Sequence, residues 1–206
     1  MVIHNIKYRK KLIAFACFSG IALSTPSFAD KAMQTSQNYA QFKQSGQLIR
    51  PTGYREWVFI GAPLTPNDMN NGKAAFPEFH NVYIDPDSWA HWKKAGEFPD
   101  GTTIVKELVS VGSKQAPSGN GYFQGEYIGL EAMVKSKQRF PQTSGNWGFF
   151  RFTIENSPLL HSIAKAQPTE SCLACHQSYA ANYQVFTQFY PVLRAAAGKG
   201  AAGTGR

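Results

Sequence analysis

Thr102-Thr103-Ile104-Val105-Lys106-Glu107-Leu108-Val109-Ser110-Val111 is the stretch on which the fold class turns. It is rich in β-branched residues, which suit a pleated strand better than a helix. Gly101 turns the chain into it. Downstream, Gly119–Gly121 reads as a loop and Tyr122–Val134 as a further strand. Pro141 to Gly145 is a turn, and Asn146–Ile154 is a strongly aromatic strand. Upstream, His80–Ile84 is a strand that runs into Asp85-Pro86, the signature of a helix start with Asp85 as N-cap and Pro86 at the first helical position. That helix carries Trp89 and Trp92 at i, i+3 spacing and ends at Gly96. Glu56–Ile60 is a short strand closed by Gly61 and Pro63, and Pro66 opens an Asn/Asp-rich loop that lasts to about Lys73. Residues 31–50 are polar and suggest only a short helix at their start. The pattern predicts an α+β fold that is mainly β, an antiparallel sheet with a few packed helices. There is no internal repeat. At the far end, Ser178–Leu193 sets Tyr179, Tyr183, Phe186 and Tyr190 at helical spacing, which predicts an aromatic stripe on a core. From Ala195 the composition predicts a flexible Gly/Ala tail.

The 206 residues favour one domain with tails. A hydrophobic share of 43% excludes a disordered or collagen-like polymer. Residues 1–29 read as a secretory signal peptide: Lys7, Arg9, Lys10 and Lys11 lead, Leu12–Leu23 is apolar but too short to span a bilayer, and Ser27-Phe28-Ala29 precedes a cleavage before Asp30. Without that leader, 17 basic and 13 acidic residues remain, a net charge of +4 rather than +8. No Lys/Arg block survives, so a nucleic-acid partner is not indicated, and no later segment is apolar enough to span a membrane. The expected location is the periplasm. The expected organisation is 1–29 signal, 30–53 N-terminal segment, 54–194 domain and 195–206 tail.

Three cysteines look awkward for a disulfide framework, but Cys17 leaves with the leader. The remaining two form Cys172-Leu173-Ala174-Cys175-His176, the C-x-x-C-H attachment signature of haem c. The spacing has a chemical reason: two thiols add across two vinyl groups, and the adjacent imidazole reaches the iron. The alternatives are a thioredoxin-like redox pair, for which the preceding Gln167-Pro168-Thr169-Glu170 supplies no strand-to-helix setting, and a zinc site, which lacks a second C-x-x-C. None of Met33, Met69 or Met133 announces itself as a second axial ligand. A β-rich protein with haem at its C-terminal end therefore suggests an open sixth position where a small molecule binds.

Phe76-Pro77-Glu78-Phe79-His80-Asn81-Val82-Tyr83, Pro99-Asp100-Gly101-Thr102, Gly121-Tyr122-Phe123-Gln124-Gly125-Glu126 and Cys172–His176 followed by Phe186-Thr187-Gln188-Phe189-Tyr190-Pro191-Val192-Leu193 resemble the cytochrome P-460 family, related to the beta-type cytochromes c′. The resemblance runs from about Tyr54 to Arg194. It implies a β-sheet fold with packed helices, a homodimer, and one haem c per chain with its iron held by His176 and its ring by Cys172 and Cys175. It also implies a third covalent bond to the haem from a lysine, matched by Lys106. Locally, Lys106 shares a strand face with Ile104 and Leu108, and burying an ammonium there is costly. A desolvated lysine becomes a better nucleophile, whereas the plain reading is a lysine snorkelling from an edge strand.

The resemblance further implies a distal carboxylate, best matched by Glu131 in Gly129-Leu130-Glu131-Ala132. On an unbroken strand Glu131 shares its face with Phe123 and Tyr127, and the competitor Glu126 lies opposite with Tyr122 and Ile128. Phe76 and Phe79 are candidates for the pocket wall, and His80 for reaching into it. The implied activity is oxidation of hydroxylamine to nitrous oxide, nitric oxide or nitrite at a five-coordinate haem. Electrons pass to a soluble cytochrome c. The alternatives are a nitric oxide-binding beta-type cytochrome c′ and a plain electron carrier.

Overall fold

A computed structural model describes residues 38–196. The expected signal peptide, the cleavage point before Asp30, Cys17 and Met33 lie outside the described residues, as does the tail beyond Ala196. In chain order the strands are β1 (Leu48–Ile49), β2 (Val58–Gly61), β3 (Phe79–Ile84), β4 (Thr103–Val111), β5 (Gln115–Ala116), β6 (Gly119–Asn120), β7 (Gln124–Lys135), β8 (Trp147–Arg151) and β9 (Ile163–Ala164). The helices are α1 (Pro86–Ala95), α2 (Leu173–Tyr179) and α3 (Pro191–Ala196). The architecture is α+β and mainly β: a five-stranded antiparallel sheet in the order β2-β3-β4-β7-β8, with β1–β9 and β5–β6 as small pairs. Among the described residues no helix is long and apolar enough to cross a membrane.

The predicted strands all form, with ends shifted by a few residues. The middle strand is β4, bonded to β3 on one side and β7 on the other. Helix α1 starts and stops where its caps predict. Asp85 accepts the Ser88 amide at 2.7 Å, and Gly96, left-handed at φ 70°, donates to the Trp92 carbonyl at 2.9 Å. Asp85 also accepts the Thr103 amide at 2.7 Å, so one buried carboxylate fixes both the helix start and the entry to β4.

Both faces of the sheet are covered. On one, Ile84, Val82, Ile104, Met133, Phe149 and Trp147 pack against Trp92 of α1, Leu173 of α2 and Leu193 of α3. Trp92 stacks on Phe98 at 4.5 Å and donates its indole N–H to the Leu193 carbonyl at 2.9 Å, which ties α1 to α3. On the other face Val105, Leu130, Ala132, Val134, Phe150 and Phe152 pack against Ala40, Leu48, Tyr54 and Ala164. Each large apolar side chain so buried contributes about 1.5–3 kcal/mol. The helix expected at the start of residues 31–50 falls on 31–37, outside the described residues; residues 38–50 bring β1 to this second face.

Two expectations fail here. Strand β7 is not of one parity. Leu108 pairs with Gly129 but Val109 with Tyr127, so Ile128 is an extra residue, a β-bulge. The bulge sits beside Gly129, where a Cβ would fall 2.4 Å from Thr153 Oγ1, and the Thr153 hydroxyl takes the Leu130 amide at 3.1 Å. The C-terminal aromatics do not form one helical stripe. Helix α2 stops at Tyr179, and Tyr183 and Gln184 take left-handed φ values of 51° and 61° in a turn closed by Val185 N–H on the Asn182 carbonyl at 2.8 Å. Tyr190 and Phe186 pack on the core, while Tyr179 and Tyr183 face solvent. A third is trimmed: Ala195 and Ala196, placed in the expected tail, belong to α3.

Candidate functional site

The register of the sheet assembles the site. Val82, Lys106, Glu131 and Arg151 lie side by side across β3, β4, β7 and β8, on the face that carries the helices. Lys106 Nζ stands 2.8 Å from Glu131 Oε2, with each side chain about a quarter exposed. The Phe76 ring lies over the ammonium, 5.3 Å from Nζ, and is itself 52% exposed. Lys106 is thus on the central strand, not an edge, and is ion-paired rather than stranded among apolar neighbours.

His80 is on the same face, paired with Leu108, and its ring meets Phe76 edge-on at 6.0 Å. His80 Nε2 is 3.4 Å from Glu78 Oε1. Burial, the largest single influence on Glu78, would raise its pKa. The His80 hydrogen bond, a backbone hydrogen bond and the charges of His80 and Lys106 outweigh it, so Glu78 titrates below the ordinary glutamate range. Beyond Leu108 a cavity of about 680 Å³ opens at the bulge, bordered by Glu78, Glu126 and Arg151.

Three sequence expectations need correction. Phe79 pairs with Val109 and so lies on the face opposite Lys106, where it cannot wall this pocket. Tyr127 also pairs with Val109, so the bulge removes it from the face of Glu131, and Phe123 precedes the strand. Glu126 is exposed and borders the cavity with Leu108 and Arg151. Phe76, His80, Lys106 and Glu131 are brought together.

Helix α2 packs on β8 and carries the C-x-x-C-H segment to this face. Cys172 and Cys175 are free thiols. Cys172 packs against the core and burial pushes its pKa up, while Cys175 is exposed. The His176 ring is held between Phe149 at 4.6 Å and Phe186 at 4.7 Å. Its Nδ1 is 2.7 Å from the Gln184 carbonyl, which fixes Nδ1 as the protonated nitrogen and leaves Nε2 as a metal ligand. Burial lowers the pKa of His176, which favours the neutral, metal-binding form. Leu173 and Cys172 pack with Ile104, Met133 and Phe149, neighbours of Lys106, Glu131 and Arg151 on their strands, so both halves of the site lie on one face.

The residues fit a haem c. Two unpaired thiols and a tethered imidazole lie on the sheet face where Phe76 is left bare over Lys106, and Phe186, against the imidazole, carries Phe189, 57% exposed. A flat apolar ring system covers such surfaces at a gain. Zinc fits poorly, because among the described residues no three His, Cys, Asp or Glu side chains converge on a point. Met133 is spent in the core.

Compared with models of known families, residues 51–187 match the one described as Cytochrome P460. The chain belongs to that family. The match takes in the whole five-stranded sheet and the C-x-x-C-H segment, so the protein is a haem c cytochrome with iron at its centre. None of the curated proteins compared with this cytochrome matches it. The sequence reading missed several residues around the site. Arg151, across from Glu131, had a signal in the alternation Trp147, Phe149, Arg151, a charge on an otherwise aromatic face. Glu78 had none beyond its place beside His80. Gln184 acts through its backbone carbonyl, which no residue type announces.

Proposed function

We propose that this cytochrome P460 is a periplasmic oxidoreductase that oxidises hydroxylamine, with the haem held by Cys172, Cys175 and His176 and cross-linked to Lys106. The observation that carries the reading is the Lys106–Glu131 pair, at 2.8 Å, on the face that receives the C-x-x-C-H helix. Haem c, held by Cys172, Cys175 and His176, would supply a redox-active iron able to take the electrons of hydroxylamine. The rest falls to the chain's own side chains.

Before any cross-link, Lys106 Nζ is the ion-pair partner of Glu131 at 2.8 Å. As a neutral amine, Lys106 Nζ would replace a hydrogen on a ring carbon, a two-electron oxidation that releases two protons to solvent and passes two electrons to an external two-electron oxidant, and Glu131 would lose its cationic partner. Glu131, on the face that receives the C-x-x-C-H helix, is then the carboxylate placed to act as the base. Oxidation of hydroxylamine releases protons with its electrons. Glu131 takes up the protons, and the electrons go to a soluble cytochrome c. Phe76, over the pair, keeps bulk water and large molecules from the base. His80 meets Phe76 on one side and Glu78 on the other, and Glu78 lines the cavity at the bulge. Nitrous oxide, nitric oxide or nitrite is the product, and the working form is a homodimer.

The test is optical and kinetic. The reduced protein should show a broad, red-shifted Soret band, and Lys106→Leu should restore an ordinary c-type spectrum. Mass spectrometry of the haem peptide should find Lys106 attached. An ordinary c-type spectrum in the parent protein would sink the enzyme reading and leave a nitric oxide-binding beta-type cytochrome c′.

A further inference from the structure

The Gln184 carbonyl that holds His176 is delivered by an unfavourable piece of backbone. Tyr183 and Gln184 are consecutive non-glycine residues at positive φ, 51° and 61°, a conformation usually left to glycine, asparagine or aspartate. Val185 N–H closes the turn on the Asn182 carbonyl at 2.8 Å, and Asn182 in turn donates to Thr187 Oγ1 at 2.7 Å. Such strain persists only where the surroundings over-determine it.

The Gln184 side chain supplies that constraint. Its amide Nε2 donates to Ser144 Oγ at 3.0 Å, reaching across to the turn before β8. Its Oε1 is buried without a partner and fills the space over Gly145, where a Cβ would stand 2.2 Å away. Gly145, at φ 65°, is therefore the only residue type that lets the amide in. One residue thus grips the turn at Ser144–Gly145 through its side chain and the His176 ring through its backbone.

We propose that Gln184, anchored on Ser144, is a positioning residue that sets the donor strength of His176 toward the iron and so the reduction potential of the haem. The inference rests on His176 being the axial ligand. A short, aligned Nδ1–H···O=C bond makes the imidazole a stronger donor, which stabilises oxidised iron and lowers the potential. Releasing the side chain lets the turn relax, the carbonyl drift, and the bond weaken.

The experiment uses the holoprotein, measuring reduction potential by redox titration and the iron–histidine stretch by resonance Raman. Ser144→Ala removes the anchor, and Gln184→Gly removes the side chain while tolerating the positive φ. Both should raise the potential and lower the stretching frequency together. Ser144→Thr keeps the hydroxyl and should stay at parent values. Thr143→Val loosens the same turn, where Thr143 Oγ1 donates to the Trp147 carbonyl at 2.9 Å, without touching Gln184. It should lower thermal stability but leave the stretch unmoved. Parent-like potential and stretch in both Ser144→Ala and Gln184→Gly overturn the inference while leaving the ligand assignment intact. A ferrous His176→Gly holoprotein that keeps the parent iron–histidine band removes His176 as ligand, and the inference with it.

Discussion

Lys106 and Glu107 are neighbours on one strand, yet each is half of a different charge pair on a different face of the sheet. Lys106 meets Glu131, and both side chains are about a quarter exposed with an aromatic ring as cover. Glu107 is buried and saturated: it pairs with Arg55, accepts the Tyr54 hydroxyl at 2.9 Å, and takes Asn81 Nδ2 at 3.3 Å. Asn81 and Gln124 exchange a further pair of bonds at 2.8 and 3.0 Å. Burial is the main reason that the Tyr54 hydroxyl is pushed far above its usual pKa, with the bond to Glu107 second. The Glu107 carboxylate gathers Tyr54, Arg55 and Asn81, and through Asn81 and Gln124 it stitches β4 to β3, β7 and the Tyr54–Glu56 turn. The Lys106 pair is held by few other bonds and is free to be rearranged. Saturation marks a structural pair, and spare capacity marks one that chemistry can use.

Exchanging the fates of the two pairs is the sharpest way to break this contrast. Glu131→Gln should cut hydroxylamine turnover by about 10²–10⁴-fold, the usual worth of a general base, in a steady-state assay. The same variant should lose no more than about 1 kcal/mol of stability, since a partly exposed pair is worth little. Glu107→Ala should do the reverse. It should lose about 2–3 kcal/mol in urea unfolding, because Tyr54 and Asn81 keep buried polar atoms without partners, while turnover per bound haem holds. Asn81→Ala, one step further out, should cost about 1 kcal/mol. Equal stability losses at Glu131 and Glu107 would erase the distinction.

The smallest effect is a pH dependence. Glu78 titrates below the ordinary glutamate range in the folded protein. Its ionisation therefore adds stability above the ordinary range, and that increment is lost as pH falls through the lowered value. Stability curves of the parent and Glu78→Gln should differ by a constant amount at neutral pH and converge in acid. Curves that run parallel throughout would show that Glu78 contributes nothing by charge.

The parts of this site legible in the sequence are those fixed by local chemistry. C-x-x-C-H names its own spacing, Asp85-Pro86 and Gly96 name both ends of α1, and a lysine between Ile104 and Leu108 names a face. What stayed hidden depends on distant partners. Strand parity placed Glu131 with Tyr127, but the bulge at Ile128 is imposed by Thr153 lying over Gly129, from another part of the chain. Phe79 reads as a sibling of Phe76, yet it enters the ladder one residue before His80 and so faces away. The aromatics at 179, 183, 186 and 190 keep helical spacing in sequence while a left-handed turn breaks the helix beneath them. A propensity cannot foresee a conformation that a remote serine holds in place.

Lys106 lies in the middle of the sheet, and Cys172 follows its last strand. With both bonded to one rigid ring, the intervening chain becomes a closed covalent loop, as a disulfide would make it. For a loop of roughly 65 residues, chain entropy lost from the unfolded ensemble is worth about 4 kcal/mol. The proposed third bond would thus double as a staple, and a cross-linked protein should survive denaturant that unfolds its thioether-only form.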